Sequence, residues 1–322
     1  MNGYLENNLP DLVVIVPVYN EEKILLELYA RLTKAAKQVS ENYRILFIND
    51  GSNDASMEVI LTFAAHDENV DYIDLSRNFG HQQAVSAGLD AVEGKAVVII
   101  DGDLQDPPEL IPQLYIEYKK GYDVVYAQRK RREGESVFKL WTAKLFYRLL
   151  RSMTSVSMPV DTGDFRLIDQ KVVNCLKQMP EKTKFLRGQI AWLGFRQTAY
   201  LYDREKRKAG SSGYTFSKMV RLALDGITGF SDKPLQLVSL LGFLFCSISF
   251  LVILYALYAH YILEKTITGW TSLIISSMFI GGVQLLSLGI IGLYISRINT
   301  NVLNRPFYII RESKISSNNR RS

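Results

Sequence analysis

The stretch that decides the fold is VVIIDGDLQDPP, residues 97–108, in which four β-branched apolar residues run directly into two acids. An apolar run of this kind is typical of a buried parallel strand. Ligands of open α/β sheets bind beyond the carboxyl ends of the strands, so Asp101 and Asp103 are predicted to lie in a site. Two carboxylates suit Mg²⁺ or Mn²⁺ carrying substrate phosphates. The alternative is a solvated turn at the strand end.

Strands and helices alternate around this stretch. The predicted strands are residues 12–17, 44–49, 70–75, 96–101, 122–128, 163–168 and 195–202. The predicted helices lie near residues 21–38, 54–65, 80–92, 108–119 and 136–152, and Asp106 is expected to cap the fourth of them. This alternation indicates a three-layer α/β fold with a parallel sheet. The chain has neither a Gly-x-Gly-x-x-Gly after the first strand nor a P-loop, which excludes those two nucleotide-binding classes.

Two long stretches without Asp, Glu, Lys or Arg follow, at residues 234–263 and 266–296. Each exceeds the roughly 20 apolar residues that span a bilayer, so two transmembrane helices joined by a short loop are predicted. The alternative is a buried helical hairpin in a soluble protein. Residues 2–11 are polar, so no cleavable signal peptide is expected.

Basic residues flank the pair of stretches on both sides, whereas the loop between them has only two charged residues, Glu264 and Lys265. An excess of Lys and Arg marks the cytoplasmic side of a membrane, so both termini and the N-terminal domain are expected in the cytoplasm. We therefore expect an integral protein of the inner or plasma membrane. The net charge of +5 is attributed to anionic lipid and not to nucleic acid. Residues 215–230 suit a helix in the membrane interface, with an ordinary core-packing helix as the alternative.

Polar residues also follow the other early strands. PVYNE (17–21), NDGSND (49–54) and SRNFG (76–80) end the first, second and third predicted strands. A carboxylate at such a position can accept hydrogen bonds from a base or a ribose, and an arginine can contact phosphate. Each motif alone is a weak signal, but four consecutive strand ends with polar ligands together predict a nucleotide site.

These motifs resemble those of family 2 inverting glycosyltransferases with a GT-A fold. More narrowly, the chain is similar to polyprenyl-phosphate glycosyltransferases, namely dolichol-phosphate mannose synthases and bactoprenol glucosyltransferases. The resemblance covers nearly the whole chain and rests on PVYNE (17–21), NDGSND (49–54), SRNFGHQ (76–82), DGDLQDPPE (101–109), TGDFRL (162–167) and R-x-x-R-x-A-G-x-S (204–212). It implies a nucleotide-sugar-binding domain with a Rossmann-like mixed sheet at 1–203, a basic loop and juxtamembrane helix at 204–232, two transmembrane helices at 233–296 and a basic cytoplasmic tail at 297–322.

The resemblance also implies roles for individual residues. The nucleotide would be held by Pro17, Tyr19, Glu21, Asp50, Arg77 and Asp101. The metal would be held by Asp101, Asp103 and Gln105, and Asp103 and Asp164 would be the catalytic acids. The donor diphosphate or the acceptor phosphate would contact Arg129, Arg204, Arg207 and Ser212, with Lys139 as a weaker candidate.

Two departures from the family pattern bear on these roles. Gly213 stands where the family often has a lysine, so one cation at the phosphates is missing or supplied elsewhere. Residues 189–192, QIAW, lack the arginine of the Gln-x-x-Arg-Trp motif of processive synthases, which argues against polymer synthesis.

The expected reaction is transfer of a single hexose from a nucleotide diphosphate sugar to a polyprenyl phosphate such as undecaprenyl phosphate. UDP-glucose is the first choice of donor, by resemblance only. A phosphate monoester has a second pKa of about 6, so the acceptor is mostly a dianion and needs no strong base. Asp164 is therefore expected to orient a substrate in a metal-assisted, inverting single displacement. The alternatives are a glycosyltransferase that extends a glycan at a sugar hydroxyl and a catalytically silent partner of a flippase; the oligomeric state, a homo-oligomer included, stays open.

Overall fold

The computed structural model describes residues 9–129, 162–181, 184–202, 233–262 and 269–316. These residues fall into two compact units. The first unit contains residues 9–129, 162–181, 184–202 and 304–316, and the second contains residues 233–262 and 269–303. The predicted helix near 136–152 and the predicted interface helix at 215–230 lie outside the described residues.

The first unit is built on one eight-stranded sheet. Its strands are β1 (Leu12–Val18), β2 (Tyr43–Asn49), β3 (Val70–Leu75), β4 (Ala96–Ile99), β5 (Val124–Arg129), β6 (Thr162–Asp169), β7 (Gln197–Tyr202) and β8 (Ile310–Lys314). The helices of its described part are α1 (Leu25–Val39), α2 (Ser56–His66), α3 (His81–Ala91), α4 (Ile111–Lys119), α5 (Gln170–Lys177) and α6 (Leu186–Trp192), with a 3₁₀ turn at Pro108–Leu110. The seven strands predicted from the sequence are all present.

The strand order is β7-β5-β6-β4-β1-β2-β3-β8. Strands β4, β1, β2 and β3 are parallel to one another, as expected from the α/β alternation. Strand β6 is antiparallel to both β4 and β5, and β8 is antiparallel to β3. The parallel sheet expected from the alternation therefore holds for β1 to β4, and the mixed α/β fold implied by the resemblance is confirmed.

The two faces of the sheet are both covered, which explains the uninterrupted apolar strands. Because successive side chains of a strand point to opposite faces, Val14 packs in the cluster formed with α1, α2 and α4. Ile15 packs instead in the cluster formed with α3, α5 and α6. The three-layer arrangement follows from this burial, and it leaves the strand ends as the accessible part of the sheet.

Strand β8 differs from the sequence expectation, which placed residues 297–322 in a basic tail. Its sequence, IRESK, is short and wholly exposed, so it carries no burial pattern that would predict a strand. Its partners lie about 240 residues earlier in the chain, for example where the Tyr72 hydroxyl donates to Glu312 over 2.7 Å. Pairing between segments so far apart in the chain leaves no pattern in the sequence of either segment from which the strand could be predicted.

The predicted capping role of Asp106 is also wrong. The 3₁₀ turn begins at Pro108, with Pro107 as the residue that precedes it. Asp106 is instead fully buried and accepts a hydrogen bond from the hydroxyl of Tyr202 at the end of β7. The carboxylate of Asp106 is therefore held in the interior by a distant residue and does not cap the turn that follows it in sequence.

The second unit contains α7 (Lys233–Tyr261) and α8 (Trp270–Val302). Among the described residues, one helical segment is long and apolar enough to cross a membrane, Phe279–Val302 in α8. Within α7 the apolar segment found is the shorter Lys233–Phe245. The rings of Phe245 and Phe279 make an edge contact with centroids 5.4 Å apart. The second membrane span and the topology stay predictions.

Candidate active site

A cleft of about 310 Å³ opens at the carboxyl ends of β1 to β4, where the sequence predicted a binding site. Each of the four strands contributes lining residues from its end or from the loop that follows it. The cleft is lined by Pro17, Val18, Tyr19, Glu21, Asp50, Asn78, Gly80, His81, Ala84, Asp101, Gly102 and Asp103. Six of the residues singled out in the sequence therefore share one cleft.

The loops after β1 and β2 are held together by hydrogen bonds between backbone and side chains. The amide of Asn20 donates to Ser52 Oγ over 3.0 Å, and the amide of Glu21 donates to Ser56 Oγ over 3.0 Å. Asn20 adopts a left-handed backbone with φ of 57°. These contacts fix the wall of the cleft on which Tyr19 presents a partly exposed aromatic ring.

Asp50 connects the loop after β2 to the loop after β3. Its carboxylate is buried and accepts hydrogen bonds from the amides of Phe79 (2.8 Å) and Gly80 (3.0 Å). Burial raises the pKa of the Asp50 carboxyl above its usual value, and the two amides partly offset this. Asp50 thus shapes the cleft, and its contact with a base or ribose stays a prediction.

Gly51 allows these same two loops to touch. Its φ is +63°, and a Cβ at this position would lie 2.3 Å from the carbonyl carbon of Arg77 and 2.5 Å from the amide nitrogen of Asn78. Both the backbone conformation and the lack of space therefore require glycine here.

Replacing Gly51 by alanine is expected to lower the free energy of unfolding by at least about 3 kcal/mol, because the two loops must separate as well as accept the strained backbone. Gly194→Ala is the matched control, since Gly194 also has a positive φ of 72° but nothing within 4 Å of the added Cβ. The free energy of unfolding of the control should fall by about 1 kcal/mol, which is the cost of the left-handed conformation alone. Denaturant unfolding of both variants checks the difference, and equal losses would show that the close approach has no energetic weight.

The register of β6 against β4 brings Asp164 to the acids after β4. Ile99 pairs with Arg166 in this antiparallel ladder, and the same register continued by two residues sets Asp101 opposite Asp164. His81, the first residue of α3, bridges the two acids: its Nε2 lies 3.0 Å from Asp164 Oδ2 and 3.4 Å from Asp101 Oδ1. Three elements distant in sequence thus form one cluster.

Asp164 is surrounded by groups that donate to it. Its Oδ1 accepts from Arg187 Nε over 2.7 Å, and its Oδ2 accepts from Gln82 Nε2 over 3.2 Å in addition to the His81 contact. Arg166 Nη2 lies 3.6 Å from Oδ1, and the Asp164 side chain is only 9% exposed. Burial alone would raise its pKa, but the nearby cations hold the pKa of Asp164 well below its usual value. Asp164 is therefore a stable anion and a weak base.

The cations of this cluster stay charged at neutral pH. Burial lowers the pKa of Arg166 to about 10, which is still well above 7. For His81, desolvation within the cleft acts against the charged form, but the carboxylates of Asp101 and Asp164 raise its pKa to about 9. The cluster thus combines acids with fixed positive charge, an arrangement that suits the binding of anionic ligands.

Asp101 has the features of a ligand for a divalent cation. Its Oδ1 is buried and makes no hydrogen bond within the described part of the chain. Burial raises the pKa of Asp101 to about 6; the charge of His81 acts against this rise, and neighbouring acids including Asp164 add to it. A buried carboxylate oxygen of this kind is costly unless a cation or a donor satisfies it.

The acids around Asp101 are close enough to share such a cation. Ligand atoms of His81, Asp101 and Asp164 lie within 4.8 Å of one another. Asp103 lines the same cleft, and its Oδ1 accepts a hydrogen bond from the Gln105 amide over 3.1 Å. The carboxylates of Asp101 and Asp103 fit Mg²⁺ or Mn²⁺, whereas His81 in its protonated form is not a metal ligand.

The other residues predicted for the site are placed less centrally. Arg77 is exposed, stacks over the Phe79 ring at 4.0 Å and does not line the cleft within the described region. Gln105 is buried, and its predicted metal contact stays untested. Arg129 ends β5, but its side chain is outside the described residues, as are the four positions Lys139, Arg204, Arg207 and Ser212 in their entirety.

Sequence reasoning missed part of the acidic cluster. His81 lies within the SRNFGHQ motif, but a single histidine is more often structural, so the sequence predicts no site role for it. Gln82 belongs to the same motif without a predicted role, and Arg187 has no local signal, because the contacts of both with Asp164 depend on how α3 and α6 pack on the sheet.

The chain is similar to many known proteins along almost its whole length. The family model described as Glycosyl transferase family 2 matches residues 13–177. "Uncharacterized glycosyltransferase YkcC" of Bacillus subtilis (strain 168) is 49% identical over 300 residues, covering 93% of this chain and 93% of that protein. "Uncharacterized glycosyltransferase sll0501" of Synechocystis sp. is 43% identical, covering 94% and 95%. "Bactoprenol glucosyl transferase" of Shigella phage SfII is 39% identical, covering 93% of this chain and 97% of that protein.

Proposed function

The chain belongs to glycosyl transferase family 2, and from this membership we propose that it transfers one glucosyl residue from UDP-glucose to a polyprenyl phosphate. The observation that carries the proposal is the extent of the similarity to the bactoprenol glucosyl transferase of phage SfII. That similarity covers 93% of this chain, whereas the family domain ends at residue 177. It therefore includes most of the C-terminal region, and we infer that the acceptor is of the same lipid class.

The state of Asp164 supports a phosphate acceptor over a sugar hydroxyl. A hydroxyl nucleophile needs a general base whose pKa lies near the working pH. Asp164 does not fit that role, because Arg187, His81 and Arg166 hold its pKa well below the usual value. A polyprenyl phosphate, with a second pKa of about 6, is already mostly a dianion at neutral pH. The alternative of a glycan extender is therefore the weaker one.

The residues in and around the cleft have separate roles in the proposed reaction. Tyr19, Glu21 and Asp50 form the wall proposed for the nucleotide. Asp101 and Asp103 would hold Mg²⁺ or Mn²⁺, which when bound neutralises charge on the departing diphosphate. Asp164 keeps His81 oriented beside Asp101, where a fixed positive charge reduces repulsion between two anionic substrates. A single displacement at the sugar would invert its anomeric centre.

The position of the enzyme in the membrane is part of the proposal. The described helical segment Phe279–Val302 and the basic residues around both predicted spans support a membrane location. We propose two spans with the cleft and both termini on the cytoplasmic side, since Lys and Arg mark that side. The phosphate of the lipid acceptor would then lie in the membrane interface. There it would contact the basic side chains of Arg129, Lys139, Arg204 and Arg207 and the hydroxyl of Ser212.

A panel assay tests the proposal directly. The purified full chain in detergent is incubated with Mn²⁺, undecaprenyl phosphate and one of UDP-glucose, UDP-galactose, UDP-GlcNAc or GDP-mannose, and the lipid product is read by mass spectrometry. We expect a singly glucosylated lipid from UDP-glucose alone, cleaved by a β-glucosidase and not by an α-glucosidase. A chain that binds a nucleotide sugar but forms no glycosylated lipid would favour the glycan extender. A chain that binds no nucleotide sugar would instead be the silent partner of a flippase.

A further inference from the structure

Strand β8 is the edge strand next to β3, and the loop that follows β3 lines the cleft. It pairs antiparallel with β3, with Tyr72 opposite Lys314 and Asp74 opposite Glu312. The register shifts between Asp74 and Leu75, because Leu75 pairs with Ile310 and leaves one extra residue on β8. That residue is Arg311. Such bulges redirect a side chain out of the regular alternation of a strand.

The redirected Arg311 side chain contacts the end of β3 and the first residue of the loop that follows it. Its Nη1 lies 3.1 Å from Asp74 Oδ2, and its Nη2 donates to the backbone oxygen of Ser76 over 2.8 Å. Asp74 is 5% exposed on its side chain, whereas Arg311 is 61% exposed. The arginine therefore supplies positive charge to a buried carboxylate and also fixes the first residue of the loop after β3.

A chain of hydrogen bonds continues from Asp74 to the wall of the cleft. Asn49 Nδ2 donates to Asp74 Oδ1 over 2.7 Å, and Asn49 Oδ1 accepts from the amide of Ser52 over 3.2 Å. Ser52 Oγ in turn accepts from the amide of Asn20, next to Tyr19. The contacts of Arg311 thus reach the loops after β1, β2 and β3, all of which line the cleft.

We infer that Arg311 is a positioning residue for the nucleotide site: through Asp74, Asn49 and Ser76 it holds the loops on which the donor nucleotide rests. The inference depends on the proposed function, since it assumes that a nucleotide binds at this wall. It assigns part of the donor site to a segment that follows the last helix, more than a hundred residues beyond the family domain that ends at residue 177.

Nucleotide affinity is the property that Arg311 should change. In Arg311→Ala we expect the Kd for UDP, measured with Mn²⁺ by calorimetry on the full chain, to rise about tenfold, as for the loss of one member of a coupled polar network. The KM for UDP-glucose should rise similarly, and kcat should stay within about twofold, because the acids that act on the reacting groups are untouched. Arg311→Lys should be intermediate, since lysine keeps the charge but not the two-pronged contact.

Tyr72→Phe is the matched control. It removes the hydrogen bond between Tyr72 and Glu312, which joins the same two strands but leads to none of the cleft loops. Both variants should lower the melting temperature slightly, and Tyr72→Phe should leave the Kd for UDP unchanged. An Arg311→Ala variant with the nucleotide affinity of Tyr72→Phe would overturn the inference alone. A wild-type chain that binds neither UDP nor GDP would overturn the proposed function and this inference with it.

Discussion

Asp101→Asn is expected to reduce the rate of glucosyl transfer by at least about a thousandfold, the scale on which loss of a preorganised charge in a site acts. Asp101 Oδ1 is buried and without a hydrogen bond in the described part of the chain, and it lies 3.4 Å from His81 Nε2. Removing its charge leaves the cluster with too little negative charge to retain a divalent cation. Transfer to undecaprenyl phosphate and Mn²⁺ binding, each measured on the same preparation, should fall together.

Glu109→Gln provides the control for this change in charge. Glu109 lies on the 3₁₀ turn after the acidic loop and pairs with Arg31 over 2.7 Å, outside the cleft. The Glu109→Gln substitution removes the same formal charge as Asp101→Asn and should leave both glucosyl transfer and Mn²⁺ binding unchanged. Near-normal activity of Asp101→Asn would show that Asp101 does not hold the metal, and the assignment would pass to Asp103.

Asp164→Asn is expected to lower kcat by about ten- to a hundredfold and to remove no rise of kcat with pH, although the pKa of His81, which Asp164 helps to raise to about 9, should fall. Because the pKa of Asp164 is held well below its usual value, the group is ionised throughout pH 6–9 and removes no titration from that range when it is replaced. The loss in rate comes from unbalanced charge, since Arg187, Arg166 and His81 lose their shared partner. A base at this position would instead produce a rise of kcat with pH in the wild type that is missing in the variant.

The same substitution should destabilise the protein. Removing one partner of a buried ion pair costs about 3 kcal/mol, so the melting temperature should fall measurably. A group with a lowered pKa in the folded state stabilises the fold above its unfolded pKa, near 4, and loses that effect only in more acidic solution. Because Asp164 also helps to raise the pKa of His81 to about 9, the stability difference between wild type and Asp164→Asn should be largest near pH 6 and shrink as the pH rises toward 9.

Asp71→Asn controls for the loss of any buried carboxylate in this sheet. Asp71 lies at the start of β3 and accepts hydrogen bonds from the amide and the hydroxyl of Ser316. Its replacement should leave kcat and its pH dependence unchanged. If Asp71→Asn lowered kcat as much as Asp164→Asn, the effect of Asp164 would be general destabilisation and not a role in the cleft.

The strands nearest the site could be predicted because each is buried on both faces. Val14 and Ile15 pack on opposite faces of β1, which produces the continuous apolar run seen in the sequence. The carboxyl ends of such strands are the places where polar residues can gather, and Glu21, Asp50 and Asp101 line one cleft there, while their roles stay predictions. The positions of α6 and β8 could not be predicted, since neither has a periodic burial pattern of its own.

The sequence by itself determined the parallel core of the sheet, the acids at the end of β4 and the candidate membrane-spanning segment. These features depend on local hydrophobic periodicity and on the identity of residues at strand ends. The tertiary structure alone decided that β6 runs antiparallel to β4, which sets Asp164 opposite Asp101, and that Arg187 and His81 make this acid a weak base. It also decided that Arg311 reaches Asp74, 237 residues away. Strand register and ion pairs depend on packing between distant segments, and no local pattern of residues encodes them.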